Sequence, residues 1–79
     1  MKIIRDSEFI RGDIPMTKFV TRTVVMGLLQ PDNNELLLDV GAGTGSVSVQ
    51  AAIHGARVVA IEKEKSGVDL INRNKERFN

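Results

Sequence analysis

Apolar residues follow two alternating spacings along the chain, and their order predicts its architecture. Phe19, Val20, Val24, Leu28 and Leu29 recur at helical spacing. They predict a helix that opens with Thr17 as N-cap and stops before Pro31. Many residues of this helix are β-branched, which lowers its intrinsic propensity, so packing must hold it. Pro31-Asp32-Asn33-Asn34 is a turn cluster. Glu35 to Val40 carries an unbroken leucine run, the pattern of a strand covered on both faces in a parallel sheet. Val47 to His54 returns to helical spacing, with Val47, Ala51 and Ala52 directed at the sheet and Gly55 placed to end the helix with a positive φ. Arg57 to Ile61 is a second strand of the buried type. Lys65 to Phe78 is a third helix, anchored by Val68, Ile71 and Phe78. Its start is set either by Glu64 as cap or by a capping box of Ser66 and Asp69. Residues 1 to 15 are weakly patterned, with turn signals at Gly12-Asp13 and Pro15. They read as an irregular lead-in with one helical turn near Glu8-Phe9-Ile10.

The order helix, strand, helix, strand, helix implies a right-handed parallel crossover. The expected fold is α/β, the N-terminal part of a doubly wound, Rossmann-like sheet. Residues 1–34 form the lead-in and first helix, and residues 35–79 form the first βαβα unit of a single partial domain. Two strands alone leave both sheet edges open and much Leu and Val surface uncovered. The chain is therefore expected to be a piece of a larger domain or to find cover in another chain.

Composition narrows the classes. A chain of 79 residues holds at most one domain, and one this small is marginal without help. There is no cysteine and one histidine, His54, so neither a disulfide nor a zinc site is expected. Lack of cysteine fits a reducing cytoplasm. The net charge is +1, from 11 basic and 10 acidic side chains, so no strong field calls for nucleic acid or a membrane. The only aromatic residues are three phenylalanines, which argues against a base-stacking platform. No run approaches a membrane span, and the N-terminus lacks a signal-peptide apolar region. The expectation is a soluble, cytoplasmic protein.

The chemistry concentrates between the two predicted strands. Leu38-Asp39-Val40-Gly41-Ala42-Gly43-Thr44-Gly45 ends a strand in an acid and then places three glycines at alternate positions. Glycine lets the chain pass from strand to helix within a few residues, and its missing Cβ lets a ligand lie against the backbone. The new helix offers free N–H groups to that ligand. Ligands of open α/β sheets sit beyond the carboxyl ends of the strands, so the loop and Glu62, at the end of the second strand, belong to one crevice. A carboxylate there can accept both hydroxyls of a ribose. Dinucleotide sites place their third glycine three past the second. Here that place is Ser46, and the glycine comes one residue early, at Gly45. A nicotinamide cofactor is disfavoured by this spacing, and a glycine turn without any cofactor by the two flanking acids.

Asp39 followed by Gly-x-Gly-x-Gly resembles the first motif of class I methyltransferases, which bind S-adenosylmethionine. By that resemblance the backbone of Gly41, Ala42, Gly43, Thr44 and Gly45 meets the methionine portion. Asp39 supplies negative charge for its ammonium, directly or through water, and Glu62 holds the ribose. A narrower resemblance covers nearly all of the chain. Phe9-Ile10-Arg11 through Pro15-Met16-Thr17-Lys18, the glycine motif running into Ser46-Val47-Ser48, Ala60-Ile61-Glu62 and Ile71-x-x-Asn74-x-x-Arg77-Phe78 resemble the decarboxylating precorrin methyltransferases of cobalamin biosynthesis. That resemblance implies that Thr17 joins the adenosylmethionine site. It implies methylation of a tetrapyrrole, a corrin precursor, at ring carbon 15, coupled to loss of carbon dioxide from a ring-C acetate. It also implies a homo-oligomer. The chain departs from the family pattern at Gln50, where glutamate is frequent, and at Gly67, where a helix former is usual and glycine costs about 1 kcal/mol. Neither position is expected to touch the cofactor motif. No catalytic residue can be assigned within this stretch. Other readings are a methyltransferase of protein or RNA, and a non-catalytic fragment. His54 near a helix end, the mixed charges from Lys63 to Arg77, and Met16 and Met26 read as structural.

Overall fold

A computed structural model describes residues 2–78. Five regular elements follow in the expected order: α1 (Phe19–Leu29), β1 (Leu36–Val40), α2 (Ser46–Ile53), β2 (Arg57–Ile61) and α3 (Lys65–Phe78). The strands pair in parallel, from Leu36 opposite Arg57 to Val40 opposite Ile61. This is the strand–helix–strand crossover read from the sequence.

Burial alternates along both strands, but only one face is covered. Leu37, Asp39, Val58 and Ala60 lie half-buried on the side where α2 packs. Leu36, Leu38, Val40, Val59 and Ile61 stand exposed on the other face, each with about half or more of its surface in solvent. The expected cover on both faces is thus present on one, because all the described layers of this chain lie on that side.

The first helix corrects two expectations. Lys18, not Thr17, takes the N-cap position, and no side chain caps the helix. The Thr17 carbonyl instead accepts the Arg22 guanidinium at 2.6 Å and the Ser46 hydroxyl at 3.3 Å, and this fixes the chain before the helix starts. The apolar stripe is also not the buried face. Val20 and Leu28 are 73% and 80% exposed, and Val24 and Leu29 are exposed too. Arg22 and Met26, one turn apart, have no exposure and face the interior. Gln30 ends the helix in a left-handed conformation, its N–H on the Met26 carbonyl, before Pro31 as expected.

The second helix begins at Ser46, one residue early, and Gly55 follows it with φ of 105°, as its terminating role requires. Ala51 is fully buried, Val47 is half-buried, and Ala52 is exposed rather than turned to the sheet. In α3 the inward residues are Gly67, Leu70 and Asn74, whereas Val68 is 41% exposed. Ile71 and Phe78 are half-buried. Ser66 lies inside the helix and opens no capping box. The Glu64 carbonyl already accepts the Val68 N–H at 3.0 Å, so Glu64 stands at the cap position.

The lead-in before α1, residues 2–18, has little regular structure and must still satisfy its backbone groups. Three polar side chains without exposure do this, one from each helix. Arg22 of α1 bonds the carbonyls of Ile4 and Thr17 and the Asp6 carboxylate. Gln50 of α2 accepts the Ile4 N–H at 2.8 Å and donates to the Lys2 carbonyl at 3.1 Å. Asn74 of α3 pairs with both backbone groups of Ile10, at 2.6 and 2.9 Å. That pairing keeps Ile10 out of helix, and the single 3-10 turn falls earlier than expected, at Asp6–Glu8. The lead-in then supplies most of the small core, in which Ile4, Phe9 and Met16 pack with Val49 of α2. Phe78 closes this cluster with its ring 5.1 Å from that of Phe9.

Candidate functional site

The glycine loop leaves the carboxyl end of β1 and is stitched to the end of β2. The N–H groups of Gly41 and Ala42 both reach the Ile61 carbonyl, at 2.8 and 3.0 Å. The Gly43 N–H donates to Glu62 Oε1 at 2.8 Å, and the Gly45 N–H turns back to the Ala42 carbonyl at 2.9 Å. Gly41, Gly43 and Gly45 all have positive φ, so an L side chain at any of them is strained. Their surroundings differ. A Cβ on Gly41 would meet nothing within 4 Å, so the loop is open to a ligand on that side. A Cβ on Gly45 would lie 3.1 and 3.2 Å from Cγ1 and Cα of Ile71, so this glycine lets α3 approach the loop.

The lead-in reaches the same place. A Cβ on Gly43 would lie 3.1 Å from the Pro15 carbonyl, and Thr17 is held beside the start of α2 by the Ser46 hydroxyl. Thr17 itself is half-buried. Segments distant in sequence, Ile14–Thr17, Gly41–Gly45 and Glu62, therefore converge at one end of the sheet.

The Glu62 carboxylate is half-exposed and held at both oxygens. Oε1 accepts the Gly43 N–H, and Oε2 accepts the Glu64 N–H at 3.1 Å. The Gly43 and Glu64 amides lower its pKa below the ordinary value of 4.5, outweighing desolvation, and Lys63 adds to this. Glu62 therefore stays ionised and acceptor-only near neutral pH, with lone pairs left over for a ligand's hydroxyls. Asp39 lies on the α2 side of the sheet, where the buried Ser48 hydroxyl donates to its Oδ2 at 2.6 Å. Thr44 is 1% exposed, behind the loop rather than on its open side. Its carbonyl accepts Asn74 Nδ2 at 3.0 Å, and its hydroxyl has no partner among the described residues.

Sequence reasoning placed Gly67 away from the cofactor motif, and the structure corrects this. A Cβ on Gly67 would lie 2.7 Å from Glu62 Cγ and 3.0 Å from Cδ, so the carboxylate arm rests directly on this glycine. The sequence reading also missed Ser48 as the partner of Asp39, and the joint role of Arg22 and Asn74 in seating the lead-in. Asn74 had a usable signal, since asparagine inside a helix commonly has a bonding task for its side chain. An arginine among the apolar residues of α1 was a similar signal.

The described residues contain no cluster of His, Asp or Glu able to hold a metal. An apolar groove of about 270 Å³ lies elsewhere, between α2 and α3 along Val49, Ala52, Ile53, Lys75 and Phe78. No helix among the described residues is long and apolar enough to cross a membrane.

Comparison with known proteins finds relatives over nearly the whole chain. The cobalt-precorrin-6B C(15)-methyltransferase (decarboxylating) of Salmonella typhimurium is 40% identical over 78 residues, which is 95% of this chain and 41% of that protein. A probable enzyme of the same name from Pyrobaculum calidifontis is 42% identical over 79 residues, with 95% and 40% covered. The chain thus spans about two fifths of the length of these curated relatives. Among solved structures, the C-terminal domain of precorrin-6Y C5,15-methyltransferase from Rhodobacter capsulatus superposes with a TM-score of 0.88 at 31% identity, covering 99% of this chain and 44% of that one. Precorrin 8w decarboxylase from Methanobacterium thermoautotrophicum gives 0.87 at 34% identity, covering 94% and 41%. The sheet and helices are therefore the N-terminal part of a Rossmann-like methyltransferase fold. The family described as precorrin methyltransferase domain matches residues 8–79, from the lead-in through α3, and the chain belongs to that family.

Proposed function

We propose that this chain forms the cofactor-binding part of an S-adenosylmethionine-dependent methyltransferase that acts on a corrin precursor. The reaction is methylation at ring carbon 15, coupled to loss of carbon dioxide from the ring-C acetate. The names of the relatives support the substrate. The observation that carries the cofactor reading is the Glu62 carboxylate, bonded to the glycine loop at Gly43, in a loop left open at Gly41.

The donor set suits this cofactor. Glu62, kept ionised, accepts the two ribose hydroxyls. The backbone from Gly41 to Gly43 lies against the methionine portion, and the bare Cα of Gly41 leaves the space. Asp39, oriented by Ser48, supplies negative charge toward the ammonium. Thr17 contributes to the wall from the lead-in side. Gly45 and Thr44, being buried, shape the loop from behind. Bound adenosylmethionine supplies an electrophilic methyl group. The protein contributes by holding donor and carbon acceptor in line, so positioning carries the catalysis.

Calorimetric titration of the naturally made protein with S-adenosylmethionine tests this reading. Binding is expected for the wild type, and Glu62→Ala should weaken it about 10- to 100-fold, the value of charge-assisted hydrogen bonds of roughly 1.5–3 kcal/mol. Equal affinity of Glu62→Ala and wild type, or preference for a nicotinamide cofactor, would count against it. Incubation with a corrin precursor should yield the methylated ring and carbon dioxide together.

A further inference from the structure

We propose that Gly67 is a positioning residue for the cofactor site: the missing Cβ in the first turn of α3 holds the Glu62 carboxylate in its ribose-facing orientation. This rests on the ribose role given to Glu62 above and adds the element that sets its geometry.

Gly67 is buried within α3, and the Glu62 arm occupies the space where its side chain would be. A Cβ there would lie 2.7 Å from Cγ, 3.0 Å from Cδ and 3.1 Å from Oε2 of Glu62. Cγ is the middle of the arm, so a substituent cannot be avoided by turning only the carboxylate. The whole arm must swing away from α3. Both of its bonds would then break, since Oε1 reaches Gly43 at 2.8 Å and Oε2 reaches Glu64 at 3.1 Å only from this position. Gly67 has ordinary helical backbone, since its φ is not among the positive values, so conformational freedom does not explain the glycine. Glycine inside a helix is unfavourable relative to alanine. Space for Glu62 is what the structure shows in return.

The test uses the naturally made protein and two probes, S-adenosylhomocysteine and its 2′-deoxyadenosyl analogue, measured by calorimetry. Wild type should prefer the ribose form by about tenfold or more, the value of one or two charge-assisted hydrogen bonds. Gly67→Ala should lose most of that preference while binding the deoxy analogue within about twofold of wild type, because the only ligand contacts that Glu62 gives up are those to the hydroxyls. General damage to the site would weaken both probes equally and would overturn the proposal. Glu62→Gln separates the two layers. If Glu62→Gln keeps the full preference for the ribose form, or the wild type itself shows none, the ribose role falls. If Glu62→Gln abolishes the preference and Gly67→Ala retains it, only the positioning role falls.

Thermal unfolding keeps the proposal open to refutation if Gly67→Ala folds poorly. Alanine is the better helix former. In a Glu62→Ala background, where the arm is gone, Gly67→Ala should raise Tm or restore folding. With Glu62 present it should lower Tm. The same change in both backgrounds would show that the two residues do not compete for space, and the proposal would fail.

Discussion

Arg22, Gln50 and Asn74 are the least expected residues of this molecule, since polar side chains with no exposure are unfavourable unless bonded. Each is bonded to backbone of the lead-in, so each stands in for a strand or helix partner that the lead-in lacks. Arg22 keeps its charge inside with Asp6 at 3.1 Å, two carbonyls, and the face of Phe9 at 4.8 Å from its guanidinium carbon. Gln50 has a further consequence. Its amide is oriented by Ile4 and Lys2, so its nitrogen points to His54 Nε2 at 2.9 Å, and that ring nitrogen must accept. The pairing holds His54 neutral, and burial likewise lowers its pKa below the ordinary 6.5. The sign follows from linkage. The unfolded chain takes up the proton first, so this contribution is whole above 6.5 and is lost as pH falls below it. Urea unfolding should show stability declining from about pH 7 to about pH 5, with the slope reduced in His54→Gln. An equal slope in both proteins would assign it to other groups. The Glu62 carboxylate acts in a lower window. Its pKa is lowered by the Gly43 and Glu64 amides, so its contribution is present above 4.5 and is lost as pH falls below that.

At the scale of elements, the loop between β1 and α2 is governed by what packs against it. Gly41 and Gly45 have similar positive φ, 73° and 85°, yet only Gly45 has a neighbour, Ile71, at Cβ distance. Gly41→Ala should cost about 1–2 kcal/mol through conformation alone. Gly45→Ala adds overpacking against α3, typically about 1–3 kcal/mol more. Denaturant midpoints of the two variants should therefore separate, with Gly45→Ala the less stable; coincident midpoints would mean that α3 yields freely. The apolar spacing of α1 predicted the element but not its orientation. Periodicity finds a stripe, and the neighbours available in the fold decide which stripe is buried. The stripe of Val20, Val24 and Leu28 stays outside because α1 turns Arg22 and Met26 inward.

For the molecule as a whole, the bare face of the sheet is the dominant feature. Leu36, Leu38 and Val40 are 66%, 61% and 71% exposed, and Val59 and Ile61 continue the patch at 49% each. A contiguous apolar surface of this kind seeks cover. The 79-residue chain produced alone should self-associate and bind a hydrophobic dye, as read by sedimentation velocity and fluorescence. Leu38→Lys, at the centre of the patch, should reduce both. A monomeric wild-type chain without dye binding would show that this face is tolerated in water.

The order of elements, both strands, the crossover and the glycine loop with Glu62 were legible in the sequence, because local patterning and glycine spacing are properties of contiguous residues. The end of α1 before Pro31 and of α2 at Gly55 were legible for the same reason. Contacts between residues distant in the chain were not. Only the tertiary structure decided that Lys18 takes the cap in place of Thr17 and that one face of the sheet is covered. It alone brought Gln50 to Ile4 and Asn74 to Ile10, and Glu62 onto the bare backbone of Gly67. These depend on which side chains meet across space, and a hydrophobic period carries no information about that.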